Sequence, residues 1–325
     1  MTTKFRSFLS TSLALSAAAL ISVSASVSSA ADAPDTTHGG RSSVYGNLSN
    51  SSLESVTTED KLLGLLTTKQ NGKLVAVGEA QIAPTQFWTM LEHGERIECM
   101  SCIPYVSKML YASNPKTREI SAWWLRRRIF GVFGKGEAYE QTINAVSDPT
   151  KSEITRAFAA NALGEFLEGA GIPPVSTALI SDKSAMVRLA AANALIRLNN
   201  EGPNSELSSA LSDKDEEVRL AALNGATHIN VFSNLDRVAG LISDSSPLVR
   251  RRAAQTLGTL RSADSVVGLI ALTSPTTESD AGVRAAAVWA LGQIGDNQGK
   301  DSVLAARNDS DSSVRDAASI ALRHL

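Results

Sequence analysis

The sequence predicts an all-α fold, a right-handed solenoid of stacked helical hairpins. Three observations carry that expectation. One short motif recurs along the chain at a near-constant interval, each copy has the apolar spacing of a helix, and a second, shorter helical stretch precedes every copy. Composition agrees. Hydrophobic residues are 43% of the 325 and aromatics only 5%. Ala, Leu and Val dominate the apolar set, which suits closely packed helices better than packed sheets.

The clearest copies of the motif are "VRLAAANAL" from Val187, "VRLAALNGA" from Val218, "VRRRAAQTL" from Val249, "VRAAAVWAL" from Val283 and "VRDAASIAL" from Val314. Looser copies are "TREISAWWL" from Thr117 and "TRAFAANAL" from Thr155. Their arginines are Arg118, Arg156, Arg188, Arg219, Arg250, Arg284 and Arg315, spaced 38, 32, 31, 31, 34 and 31 residues apart. Leu follows seven residues later in every copy except that of Arg219, where Ala226 stands. Val187, Ala191, Ala194 and Leu195 fall on one helical stripe. The alanines leave little bulk, so a neighbouring helix can come close.

Turns rich in Ser and Asp precede the stripes, among them "SDKSA", "SDKDEE", "SDSSP" and "SDSDSS". They supply N-cap side chains to the long helix that follows. Pro247, after Ser246, suits a first helical position. The shorter helices are expected at "IPYVSKMLY", "AYEQTINAV", "PPVSTALI", "SELSSAL", "LDRVAGLI", "ADSVVGLIAL" and "KDSVLAA". One such hairpin cannot bury its apolar face alone, whereas a stack of them can. Trp289 is then a packing residue. The chain stops at "ALRHL", so its last long helix is read as the C-terminal edge of the array.

This pattern resembles the HEAT repeats, in particular the short bacterial type of the phycobilin lyases, over residues 84–325. It is strongest over 181–325, where D-x5-VR stands at Asp182/Arg188, Asp213/Arg219, Asp244/Arg250 and Asp309/Arg315, with Glu278 replacing the acid before Arg284. The resemblance implies that these acids and arginines form a hydrogen-bonded ladder along the inter-repeat turns, a structural role and not a catalytic one.

The N-terminal part reads differently. Lys4 and Arg6 precede an uncharged, apolar run that ends in small residues with Ser28 and Ala30 placed for cleavage, so residues 1–30 read as a secretory signal peptide. Residues 31–58 are rich in Ser, Thr, Gly and Asn and read as a flexible tether, with acceptor-type matches at Asn47 and Asn50. Residues 59–83 form an N-terminal cap region. "TTEDKLLGLL" reads as a short helix there, and "GKLVAVGEAQI" as either a strand or an irregular pass. "PTQFWTMLEHG", from Pro84 to Gly94, reads as a first long helix ended by Gly. The expected location is therefore periplasmic or extracellular, with no transmembrane span once the signal is removed.

The net charge of −2 speaks against a general nucleic-acid binder. His38, His93, His228 and His324 show no metal-ligand spacing, and there is neither a glycine-rich phosphate loop nor a G-x-S-x-G elbow. No metal, cofactor or catalytic set is expected. The cysteines, Cys99 and Cys102, lie in "ECMSCIPYV". Haem attachment requires C-x-x-C-H, and Ile103 follows instead. A zinc site could recruit His93 but lacks a visible fourth ligand. A redox couple is open, because both thiols precede a helix start near Pro104. A structural disulfide is the expectation for an exported chain with an even cysteine count. It would staple the loop of the N-terminal hairpin.

"SAWWLRRRIFGVFG" brings Trp123, Trp124, Arg126, Arg127, Arg128, Phe130 and Phe133 together. Trp and Arg are enriched at binding hot spots, and adjacent tryptophans on a helix point about 100° apart. These residues are a candidate binding surface. Alternatively, one Trp packs between units while the arginines pair with acids such as Glu119. The functional expectation is a monomeric exported scaffold that binds a protein or peptide in the cell envelope along its solenoid surface, without catalysis. The alternative is a thiol–disulfide or cofactor-handling, lyase-like protein using Cys99 and Cys102.

Overall fold

The structure, a computed structural model, describes residues 58–77, 82–94, 97–129, 136–198, 204–228, 232 and 234–325. The expected signal peptide lies outside the described residues. So do the tether up to residue 57 and the aromatics Phe130 and Phe133.

The first helix among the described residues is α1 (Glu59–Leu66), capped by Thr58, whose hydroxyl accepts the Lys61 N–H. A hairpin of β1 (Thr67–Gln70) and β2 (Lys73–Ala76) follows, antiparallel, with Thr67 opposite Ala76 and Gln70 opposite Lys73. Its two-residue turn is Asn71-Gly72, both at positive φ (50° and 76°), as a tight primed hairpin turn requires. The open choice over "GKLVAVGEAQI" thus resolves as a strand at its start. Its partner, Thr67–Gln70, lies in residues that carried no strand expectation.

Paired helices follow. The first long helix is α2 (Pro84–His93), closed by Gly94. Then come α3 (Ile103–Lys108), α4 (Pro115–Ile129), α5 (Glu137–Ser147), α6 (Glu153–Phe166), α7 (Ile172–Ser181), α8 (Ala185–Leu198), α9 (Asn204–Ala210) and α10 (Glu216–His228). The rest are α11 (Leu235–Gly240), α12 (Pro247–Thr259), α13 (Val266–Ala271), α14 (Ala281–Ile294), α15 (Lys300–Ala306) and α16 (Ser312–Ala321). Each long helix from α4 to α16 packs on the next long one, and each also packs on the short helix or 3-10 turn before it. This is an α-solenoid.

The caps arise as the turn composition requires. Ser152 and Ser246 accept the N–H of Thr155 and Val249, and Asp280 accepts that of Val283. Pro247 opens α12. The core is the seam between the two helix layers. In α8, Val187, Ala191, Ala194 and Leu195 are all at or below 1% exposure. Ala190 and Ala192 are buried as well, because long neighbours cover both flanks of the helix.

Close approach is built from glycine and alanine. A Cβ on Gly164, Gly258 or Gly292 would lie 2.6–2.7 Å from the Cα of Ala194, Ala290 or Ala321 on the next long helix. These glycines all stand eight residues after the repeat arginine and the alanines six after theirs. Between α8 and α10 the sizes are exchanged. Ile196 takes the glycine position and meets Gly225, whose Cβ would lie 3.0 Å from Ile196 Cγ1.

Three long helices end in the left-handed region at one repeat position, eleven residues past the arginine: Leu167 (φ 57°), Arg261 (φ 50°) and Gly295 (φ 75°). Gly295 takes this conformation at no steric cost, but a side chain does not. Leu167 is also about half exposed, so little packing is lost on its removal. Leu167→Gly should therefore raise stability by about 0.5–1 kcal/mol, read as a higher urea midpoint with an unchanged m-value.

Candidate functional site

Charged groups converge on the inter-repeat turns. Arg156 donates from Nε and Nη2 to the Asp182 carboxylate at 2.8 and 2.9 Å. Arg188 does the same to Asp213 at 2.7 and 2.8 Å. Arg219 donates from Nη2 to Asp244 at 3.0 Å, with Nε 2.8 Å from its other oxygen. Arg250 holds Glu278 at 2.6 and 2.8 Å, and Arg284 holds Asp309 at 2.8 and 2.9 Å. Each carboxylate also accepts an N–H of its own turn, two residues on: Ser184, Asp215, Ser246, Asp280 and Asp311.

The pairing differs from the motif's apparent units. Arg188 binds Asp213 of the following unit, and takes only the backbone carbonyl of its own Asp182, at 3.0 Å. Arg219, Arg250, Arg284 and Arg315 likewise donate to the carbonyls of Asp213, Asp244, Glu278 and Asp309. Glu278 therefore serves Arg250, the arginine before it, with its carboxylate. Arg156, Glu278 and Arg284 belong to the ladder as fully as the residues first assigned to it. Each arginine from Arg156 to Arg284 ties two turns together, so the motif is a stacking device.

The acid ends are tuned accordingly. The Arg284 guanidinium holds the Asp309 carboxyl below the usual value, against the opposing pull of burial, and Arg250 acts on Glu278 in the same way. For Asp182 and Asp213, burial pushes upward, but Arg156 and Arg188, with the turn N–H groups, leave them lowered. Two shallow grooves open at these turns. One is lined by Asp182, Arg188 and Asp213, the other by Asp213, Arg219 and Asp244. The ladder groups in them bind one another, while Lys183, Glu206 and Lys214 also line the first groove and Arg237 the second.

The N-terminal cluster is mostly packing. Trp124 is wholly buried and Trp123 is half-buried against Trp88 of α2, ring centroids 4.8 Å apart. Arg128 stacks 3.7 Å over the Trp124 ring and donates to the carbonyls of Trp124, Gly94 and Ile97. Trp124 and Arg128 thus anchor the loop after α2 and are not offered to a partner. Arg126 is half-buried, and the Arg127 side chain lies outside the described residues. Cys99 and Cys102 sit at disulfide-bonding distance, Cα atoms 5.2 Å apart, both at 0% exposure. Between them the Ser101 hydroxyl and N–H donate to the Glu59 carboxylate, fastening the loop to α1. Among the described residues no cluster could hold a metal ion, and no helix is long and apolar enough to cross a membrane.

Apolar side chains are exposed on both helix layers, among them Ile180, Val267 and Leu304 on the short helices α7, α13 and α15, and others on the long helices. Two residues before the repeat arginine stand Ile154, Met186 and Leu248, 50%, 47% and 57% exposed. Five residues after it stand Asn161, Asn193, Asn224 and Gln255, exposed or half-buried. The arginine register alone reveals these positions.

Comparison with known proteins agrees with the geometry. A family model described as HEAT repeats matches residues 172–236 and 234–323. The chain carries HEAT repeats. The solved structure of Escherichia coli YibA is similar to this HEAT chain at 17% identity and TM-score 0.50, covering 83% of this chain and 94% of that one. Importin beta is similar at 14% identity and TM-score 0.54, over 82% of this chain and 40% of that one. The complex of CpcE and CpcF of phycocyanin lyase from Nostoc sp. PCC7120 matches at 20% identity and TM-score 0.38, over 68% and 86%. No curated protein matches. For YibA and importin beta the likeness at these identities is one of fold, and fold does not carry function.

Proposed function

We propose that this HEAT-repeat chain is an exported scaffold that binds a protein or peptide partner along its helical surface and performs no catalysis of its own. The observation that carries the reading is the division of labour among its polar groups. The ladder acids and arginines pair with one another, while α6, α8 and α12 expose the apolar side chains Ile154, Met186 and Leu248. Export rests on the leader-like first thirty residues. It is tested by fractionation and by the mass of the mature chain, which should begin near Ala31. A full-length intracellular product would overturn it. Binding is tested by mild crosslinking in the envelope fraction, where one specific partner should be recovered at a fixed stoichiometry.

The cysteine pair reads as a staple of the N-terminal loop. Both residues are buried, and thiol exchange needs access to a sulfur. The pair should show a reduction potential below about −300 mV. Its loss in Cys99→Ala/Cys102→Ala should cost about 2 kcal/mol. A clearly more oxidising value would favour thiol–disulfide work instead.

A further inference from the structure

We propose that the Arg315 side chain on α16 is a docking fork for an aspartate carboxylate, presented on a turn of a partner protein. The inference rests on the partner-binding reading above and assigns it one contact. Arg315 Nη1 donates to the carbonyls of Asp309 and Ser310, both at 2.8 Å. The same double anchor fixes Arg188, Arg250 and Arg284, whose Nε and Nη2 then grip a carboxylate. On Arg315 those two nitrogens hold no acid among the described residues. A guanidinium offers Nε–H and Nη2–H as two parallel donors, the geometry that a carboxylate accepts. Here the backbone already fixes the group, so little rotamer freedom is lost when an acid arrives.

The surroundings of the fork are polar. Four residues after the repeat arginine stand Ala160, Ala192, Leu223, Ala254 and Val288, all buried. On α16 that position is Ser319, which is exposed. Eight residues after the arginine, Gly164, Gly258 and Gly292 meet the next long helix. The corresponding residue here is Arg323, also exposed. Neither Ser319 nor Arg323 suits an apolar helix packed against this side. Asp316, beside the fork, is exposed and has no ion-pair partner among the described residues. Two guanidiniums against one carboxylate at these positions favour an acidic ligand.

The filled forks show what fits. Each holds a carboxylate that also accepts the N–H two residues on in its own turn. The matching ligand is an aspartate in such a turn, shaped in advance by its own backbone. A second copy of this chain is the poorer occupant. Its Asp182, Asp213, Asp244, Glu278 and Asp309 already hold arginines. Asp148 has the same turn, accepting the Thr150 N–H at 2.9 Å, and no ion pair among the described residues. However, the charges of Lys151 and Arg156 already act on it, and they repel an incoming guanidinium.

The test titrates the full chain with an acetylated, amidated Ser-Asp-Ser-Ser-Pro peptide, the turn sequence of residues 243–247. Its aspartate is then its only carboxylate. NMR follows the Arg315 Nε–Hε resonance, assigned by its absence in Arg315→Lys. A saturable shift is expected. The peptide with Asn in place of Asp should need about tenfold more for the same shift. Arg315→Lys keeps the charge but loses the fork. It should bind the Asp peptide about tenfold more weakly, read on the backbone amides of α16. No shift, or an equal shift with the Asn peptide or with sodium acetate at the same concentration, overturns the proposal. Self-association in sedimentation that is lost in both Arg315→Lys and Asp148→Asn overturns it in favour of a second copy. The crosslinking experiment judges the broader partner-binding reading separately, because a partner held elsewhere along the helices survives loss of the fork.

Discussion

Asp309→Ala should lower the stability of the array by about 3–5 kcal/mol, the range for removing one partner of a buried ion pair. Arg284–Asp309 is the most enclosed pair of the ladder, with side chains 5% and 2% exposed. The loss exceeds that of the pair itself, because the Arg284 guanidinium is left without its carboxylate in a buried site. Replacing both, as Arg284→Met/Asp309→Leu, should recover most of the deficit. Chemical denaturation of the three chains decides the matter. A loss below about 1 kcal/mol for Asp309→Ala would show that the pair behaves like an exposed surface bridge. The same ladder sets an acid limit. Asp309 and Glu278 titrate in the folded chain below their ordinary values of 3.8 and 4.5. Their contribution is complete above those ordinary values and is lost as pH falls through the lowered ones. The melting temperature should hold from neutral pH down to about 5 and then fall, with a smaller drop in Arg284→Met/Asp309→Leu.

Gly258→Val should cost about 3 kcal/mol, at the upper end of overpacking effects. Even a single Cβ there would lie 2.7 Å from Ala290 Cα and 2.9 Å from the Trp289 ring. The backbone cannot yield to it without parting α12 from α14. Gly240→Ala is the control, since nothing lies within 4 Å of the added carbon. It should be neutral or slightly stabilising in its short helix. Thermal melts should separate the two variants clearly. The seam also predicts where compensation is possible. At Gly225 the neighbour is the flexible side chain of Ile196, so Gly225→Ala should cost less than Gly258→Val.

Much of this was legible beforehand because a repeat prints its register many times. The arginine spacing, the Ala-rich stripe and the Ser/Asp turns located the long helices and their caps. The hairpin of β1 and β2 was only half legible. Asn71-Gly72 is a strong turn signal, but it lies beyond the repeat, where no second copy reinforces it. In the tryptophan–arginine stretch side-chain chemistry is visible in sequence and burial is not. Only packing shows that Trp124 faces the core and that Arg128 turns back onto backbone carbonyls.

By itself the sequence determined the periodic, local features: helix length, cap, apolar stripe and the unit of about 31 residues. Those follow from interactions within a few residues of one another. The tertiary structure decided everything that depends on the vector between one unit and the next. Arg188 and Asp182 are six residues apart and look like a pair. The guanidinium nevertheless reaches Asp213, because the stacked turns bring the following unit's carboxylate alongside it. The same stacking sets Gly164 against Ala194. A linear pattern fixes which residues recur, but only the packed array fixes which recurrences touch one another and which stay exposed.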